Sequence, residues 1–145
     1  MAVIGIGYQG RTQAELCELL AASDVGILCD VRLNPISRKS GLSKTALSAA
    51  VRSNGIDYLH LPALGNPRWN RAGFGGTVAE LEAAKTNFRR LVHEDDRAQH
   101  GLSQLREASA SCVIALLCFE LDQSRCHRSV LLDELVLDQT ASMVG

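Results

Sequence analysis

The chain has 145 residues and a mass of 15.6 kDa, the size of one compact domain that buries roughly 68–70% of its unfolded surface. Hydrophobic residues make up 46%, charged residues 21%, and the formal net charge is −1; this balance excludes disordered and collagen-like chains and argues against a strongly basic protein that coats nucleic acid. Aromatics are only 4%, so Leu, Val, Ile and Ala must supply the core.

Twelve of the 15 basic residues are arginine, the cation shaped for bidentate contact with carboxylate or phosphate. No run reaches 18 continuous apolar residues, so no membrane span is expected. The first residues, MAVIGIGYQGR, lack the basic region and long apolar stretch of a signal peptide. The five cysteines (17, 29, 112, 118 and 126) are odd in number, and three lie in apolar or helical patterns. The expectation is a reduced, cytoplasmic protein rather than a disulfide framework.

In chain order, Ala2 to Gly7 is a short apolar run ending in glycine and predicts a buried strand. Thr12 with Glu15 three residues on forms a capping box that opens a helix ending near Ser23. Val25 to Val31 (VGILCDV) predicts the second strand, and Arg32 to Gly41 a loop. Ser43 opens a second helix through Arg52, closed by Asn54 and Gly55. Ile56 to Leu61 alternates and predicts a third strand.

Pro62 to Gly76 (PALGNPRWNRAGFGG) reads as a fifteen-residue loop, a length that in a compact domain usually signals function or mobility. A helix follows from Thr77 to about His93. A polar break, HEDDRAQHG, spans His93 to Gly101, before a short helix around Leu102 to Ala108. Ser111 to Phe119 predicts the last strong strand. A helix over Arg125 to Leu137 places Val130, Leu131, Leu135 and Val136 on its inner side. Residues 138–145 are expected to fray, with an edge strand as the weaker reading.

Alternating strands and helices imply an α/β domain with a Rossmann-like, mostly parallel sheet covered on both faces. Ligands of such sheets lie beyond the carboxyl ends of the strands. Four strand-end segments should therefore meet at one rim. Gly7, Tyr8 and Arg11 come from a glycine turn ahead of a helix N-terminus, a setting that attracts anions. Asp30 and Arg32 are two residues apart on an extended chain, either a structural ion pair or a positioned carboxylate beside an anion-binding arginine; Arg38 stands in the loop beyond. Tyr58 and His60 share a strand face, which suits a core histidine as well as a proton carrier.

The fourth segment, Cys118 to Arg128 (CFELDQSRCHR), carries the most chemistry. An apolar strand delivers Cys118 and Glu120, and Cys126, His127 and Arg128 open a helix. A cysteine at a helix start among cationic neighbours is where a thiolate forms, and thiolates serve as nucleophiles or metal ligands. A phosphatase-type loop fits poorly. Six residues, not five, separate Cys118 from Arg125, and the link is acidic and lacks glycine. A metal set of Cys118, Cys126 and His127 with His60 or Glu120 is a further reading, without a C-x-x-C pair to support it.

Taken together, GIGYQGR, CDVRLNPISR, LSKTALSAAV, GIDYLHLPALGNPR, GFGG and LLCFE–CHR resemble the domain of unknown function 488 family over about Val3 to Leu135. The resemblance implies a small α/β protein with a Rossmann-like parallel sheet. Its characteristic positions fall on Gly7, Arg11, Asp30, Arg32, Pro35, Ser37, Arg38, Tyr58, His60, Leu64, Gly65, Cys118, Glu120, Cys126, His127 and Arg128. Leu42 stands where the family usually has an aromatic residue, and the family's C-terminal strand is short or absent here. The family name carries no activity.

Three functions compete. In the first, Gly7, Tyr8, Arg11, Arg32, Arg38 and Arg128 hold an anionic ligand (phosphorylated, nucleotide or nucleic acid), Cys118 or Cys126 is the nucleophile, and Glu120, His60, His127 and Asp30 supply acid–base chemistry. In the second, the same residues form a rigid network, and Trp69 with Arg68 and Arg71 is an exposed contact surface for a protein or a nucleic-acid base. In the third, the protein binds a metal.

Overall fold

The structure is a computed structural model that describes residues 2–144, with side chains described through residue 136. Four strands, β1 (Val3–Gly7), β2 (Val25–Asp30), β3 (Asp57–His60) and β4 (Val113–Cys118), form one sheet in the order β1-β4-β2-β3. Every pairing is parallel, with Gly7 beside Cys118, and Asp30 between Leu117 and His60. The last strand in sequence therefore enters the middle of the sheet. That position explains its unbroken apolar run, VIALLC, since a central parallel strand is covered on both faces.

The side-chain period of two divides this strand between two cores. Ile114, Leu116 and Cys118 face the layer built from Phe88, Val92, Leu102, Leu105, Val130, Leu131 and Leu135. Ala115 and Leu117 face Leu16, Leu20, Leu47 and Val51 on the other side. Helices α1 (Gln13–Ala22) and α2 (Lys44–Ser53) make up the second layer; α3 (Val78–Glu94), α4 (Asp96–Ser109) and α5 (Arg128–Val144) make up the first. The result is the three-layer α/β/α sandwich expected from the alternation of elements.

Local chemistry explains the helix starts. Thr12 with Glu15, and Thr77 with Glu80, form complete capping boxes that satisfy two orphan N–H groups each. Ser43 occupies the N-cap of α2 without capping it; its hydroxyl instead accepts from Ser37 N at 2.9 Å and donates to Ser37 O at 3.3 Å, pinning the preceding loop.

Five expectations are corrected here. The polar stretch His93 to Gly101 is not a break: Asp95 caps α4 by accepting from Arg97 N at 2.9 Å, and Ala98, Gly101, Leu102 and Leu105 give that helix its buried face. Polarity on an exposed helical face had the look of a loop. The segment 62–76 is not featureless either. It folds into three 3-10 turns, Pro62–Leu64, Arg68–Asn70 and Ala72–Gly75, that bury Leu64, Asn70 and Phe74. Val136 is 54% exposed rather than inward, since it falls on the face opposite the stripe of Val130, Leu131, Glu134 and Leu135. That helix starts at Arg128, three residues later than expected, and continues to Val144 in place of an edge strand. The frayed tail expected over 138–145 lies outside the residues whose side chains are described.

Among the described residues no helix is long and apolar enough to cross a membrane.

Candidate functional site

Beyond the carboxyl ends of β1, β2 and β4 the chain encloses a pocket of about 280 Å³. Its walls include Tyr8, Arg32, Asn34, Asn66, Arg71, Phe74, Phe119, Glu120 and Arg125, and Cys118, Cys126 and His127 form part of its lining. Segments up to 119 residues apart in sequence (Tyr8 and His127) thus meet at the rim that parallel topology designates for ligands. Gly7 makes part of this convergence happen. Its Cα lies against the Glu120 carbonyl so closely that no Cβ fits between them. Backbone bonds from Tyr8 N to Cys118 O (3.3 Å) and from Gln9 N to Phe119 O (2.8 Å) extend the β1–β4 pairing past both strand ends.

Cys118 and Cys126 are joined by a disulfide. This corrects the expectation of five reduced thiols. Cys17, Cys29 and Cys112 are free. Cysteine parity and spacing cannot register that the link after β4 doubles back on itself, through a 3-10 turn at Gln123–Arg125, and returns Cys126 to the strand end. Burial pushes the Cys29 thiol well above the ordinary range, with the Asp30 charge adding to the effect.

The surroundings of the disulfide are polar. Arg128 Nη1 donates to Cys118 Sγ at 2.8 Å, and its Nη2 donates to Leu121 O at 3.3 Å. Burial lowers the Arg128 pKa, opposed by Glu120 and Asp122. Glu120 Oε2 lies 3.3 Å from Cys118 Sγ. His127 Nδ1 stands 3.7 Å from Cys126 Sγ, while Nε2 lies 2.8 Å from the Val31 carbonyl oxygen. Since a carbonyl only accepts, Nε2 carries the proton and Nδ1 presents its lone pair toward sulfur. Phe88 packs edge-on against the ring at 5.1 Å. Burial pushes the His127 pKa down to about 4; the Val31 bond opposes the shift, and the Arg128 and Arg71 charges reinforce it.

The second strand end forms a closed network. Arg32 Nε and Nη2 bond the two oxygens of Asp30 at 2.8 and 2.7 Å, a bidentate pair in which Asp30 is fully buried. Tyr58 OH donates to the same carboxylate. Burial raises the Tyr58 pKa, and the Asp30 bond adds to that shift. Burial opposes the Arg32 charge, but the Asp30 bond and charge together with those of Tyr8 outweigh it and the guanidinium pKa rises. Arg32 Nη1 spans to Leu42 O at 2.7 Å and to Tyr8 OH at 3.4 Å. The group that reads from sequence as an anion holder is largely engaged by the protein itself.

Of the remaining site candidates, Arg11 turns back to Gly7 O at 2.6 Å and borders a separate surface hollow with Gly7 and Arg128. Arg38 is exposed in its loop. His60 fixes the Arg32 carbonyl through Nε2 at 2.8 Å. Arg38 and His60 do not line the pocket, nor does Asp30. Trp69 is 63% exposed and also lies outside it.

The arginines that do face the pocket in place of Arg11 and Arg38 are Arg71 and Arg125. Arg71 bonds Asn66 O through Nε at 3.3 Å. Arg125 Nη1 ties down Phe74 O and Gly76 O at 3.1 and 2.9 Å. Asn66 is buried, and its Oδ1 accepts from Asn70 at 3.0 Å. Sequence reading places the Pro62 to Gly76 segment at the rim but does not single out Arg71 and Asn66 as pocket residues, because no periodicity announces how that segment folds against α3. The density of Asn, Arg and Gly there was the available signal.

An all-parallel α/β sandwich with a sulfur- and arginine-lined pocket at its strand ends is the class that fold and geometry define. Residues 12–135 match the model of the family described as Domain of unknown function DUF488, and the chain belongs to that family. No curated protein and no solved structure matches the chain.

Proposed function

We propose that the pocket binds a small anionic thiol and exchanges it with the Cys118–Cys126 disulfide. The observation that carries this reading is the placement of Arg128 on Cys118 Sγ at 2.8 Å, beneath a pocket whose walls hold Arg71 and Arg125. In exchange, the leaving sulfur departs fastest when its thiolate is stabilised. The thiolate of the ligand attacks Cys126 Sγ and forms a mixed disulfide. The electron pair of the broken S–S bond goes to Cys118 Sγ, where the Arg128 guanidinium holds the charge, and the proton the ligand thiol gave up on ionising returns to that sulfur from solvent, past Glu120, 3.3 Å away. A second ligand thiol attacks the mixed disulfide and frees Cys126. Two thiols become one disulfide, and one protein disulfide becomes two thiols.

Cations matter because the attacking species is itself negative and carries further charge. Arg71, Arg125 and the amide of Asn66 surround the space such a ligand would fill. A partly enclosed pocket strengthens these contacts relative to water.

The test compares reduction of the oxidised protein by glutathione, an anionic thiol, and by cysteamine, a cationic one, with the thiolate concentrations matched. Faster, saturable reduction by glutathione that Arg71→Gln weakens supports the reading. Equal, unsaturable rates with both thiols overturn it.

A further inference from the structure

We propose that the reduced protein is a metal site, in which Cys118 Sγ, Cys126 Sγ and His127 Nδ1 hold one zinc-class divalent ion whose fourth position opens to the pocket. The three ligand atoms lie within 4.8 Å of one another on buried residues. In tetrahedral zinc, with Zn–S about 2.3 Å and Zn–N about 2.0–2.1 Å, a sulfur and a nitrogen sit about 3.6 Å apart. Cys126 Sγ and His127 Nδ1 stand at 3.7 Å. The imidazole is oriented for the task, because Nε2 donates to the Val31 carbonyl at 2.8 Å. Metal-binding histidines take this arrangement, one nitrogen on a backbone carbonyl and the other on the ion.

The backbone leaves room. The Cα atoms of Cys118 and Cys126 are 7.6 Å apart, wider than the roughly 4.4–6.8 Å usual across a disulfide. Opening the bond lets the sulfurs part to the roughly 3.8 Å that two zinc thiolates need. Two thiolates and an imidazole select zinc, cobalt or iron over magnesium or calcium. Arg128, already on Cys118 Sγ, donates to a ligand sulfur from outside the coordination sphere. Three protein ligands with an open fourth position is the pattern of reactive rather than structural zinc sites.

Disulfide and metal then exclude one another, because both use the same sulfur electron pairs. Reduction takes two electrons from a thiol or a phosphine and yields two thiols. The ion displaces their two protons on binding. The inference rests on the exchange reading only in requiring that the bond can be opened, and a phosphine opens it without using the pocket.

The experiment loads phosphine-reduced and disulfide-bonded protein with Co²⁺, removes excess metal, and records metal content and visible spectra. One Co²⁺ per chain in the reduced form, with thiolate-to-cobalt charge-transfer bands and intense tetrahedral d–d bands, is expected; the disulfide form should retain none. Cys118→Ser and Cys126→Ser should each lose the charge-transfer intensity and most of the retained metal, which separates this site from the free thiols elsewhere. His127→Gln should retain less metal, and where it fails to fold the disulfide form remains the folded control. Fully reduced, folded protein that retains no cobalt overturns the proposal, as does equal retention by the disulfide form. Metal uptake without a preference among thiols would leave this site standing and remove the exchange reading. The converse outcome would do the reverse.

Discussion

Arg32→Met tests the idea that Arg32 stabilises a buried charge rather than waiting for a ligand. Asp30 is fully buried and receives two guanidinium bonds at 2.8 and 2.7 Å. Met fills much of the same volume but strands the carboxylate. Breaking one side of a buried pair costs about 3–5 kcal/mol. Tyr58 OH and the backbone N–H of residue 32 still bond Asp30, so the loss falls at the lower end, about 3 kcal/mol. For a chain of this length that corresponds to a melting temperature lower by about 10 °C.

Urea denaturation followed by far-UV circular dichroism measures the change. The double variant Asp30→Asn/Arg32→Met removes both charges, so its loss should be smaller than the two single losses combined, with a coupling energy of about 1–3 kcal/mol. Arg32 also holds Leu42 O at 2.7 Å. Amides between residues 33 and 42 should therefore exchange faster in the single variant. A loss under about 1 kcal/mol, or strict additivity in the double variant, would refute the reasoning and return Arg32 to the pool of ligand-binding groups.

Other expectations follow from single features of the structure. In the disulfide form, the His127 pKa of about 4 lies below the ordinary 6.5, so the unfolded chain binds more protons between these values. Stability should fall as pH drops from about 6.5 to about 4, by about 3 kcal/mol at about 1.36 kcal/mol per unit, and His127→Gln should flatten that limb of a urea-midpoint profile. Gly7→Ala places a methyl group on the Glu120 carbonyl and should cost about 1–3 kcal/mol as overpacking does, with slower reaction of the disulfide toward glutathione because the strand-end turn shifts. Thr77→Ala removes the capping box of α3; a loss of about 1 kcal/mol without change in thiol reactivity is expected, and a change in reactivity would show that the cap acts on the pocket through Gly76, whose carbonyl Arg125 holds.

The sequence by itself determined the layers. Apolar runs at β2 and β4, the alternation at β3 and the capping boxes at Thr12 and Thr77 are local signals, governed by backbone hydrogen bonding and by which faces meet water. They were enough to specify a parallel α/β sheet, and with it the rim where Cys118, Glu120, Cys126 and His127 meet. Tertiary structure alone decided which side chains at that rim remain available. Asp30 and Arg32 form a closed pair because Tyr58, Tyr8 and the Leu42 carbonyl approach from 10 to 28 residues away in sequence, and Arg71 and Asn66 reach the pocket because 3-10 turns pack on α3. The link between Cys118 and Cys126 is of the same kind. It depends on the path of a polar segment folding back across the end of a strand, and long-range contacts of that sort leave no periodic trace in the chain.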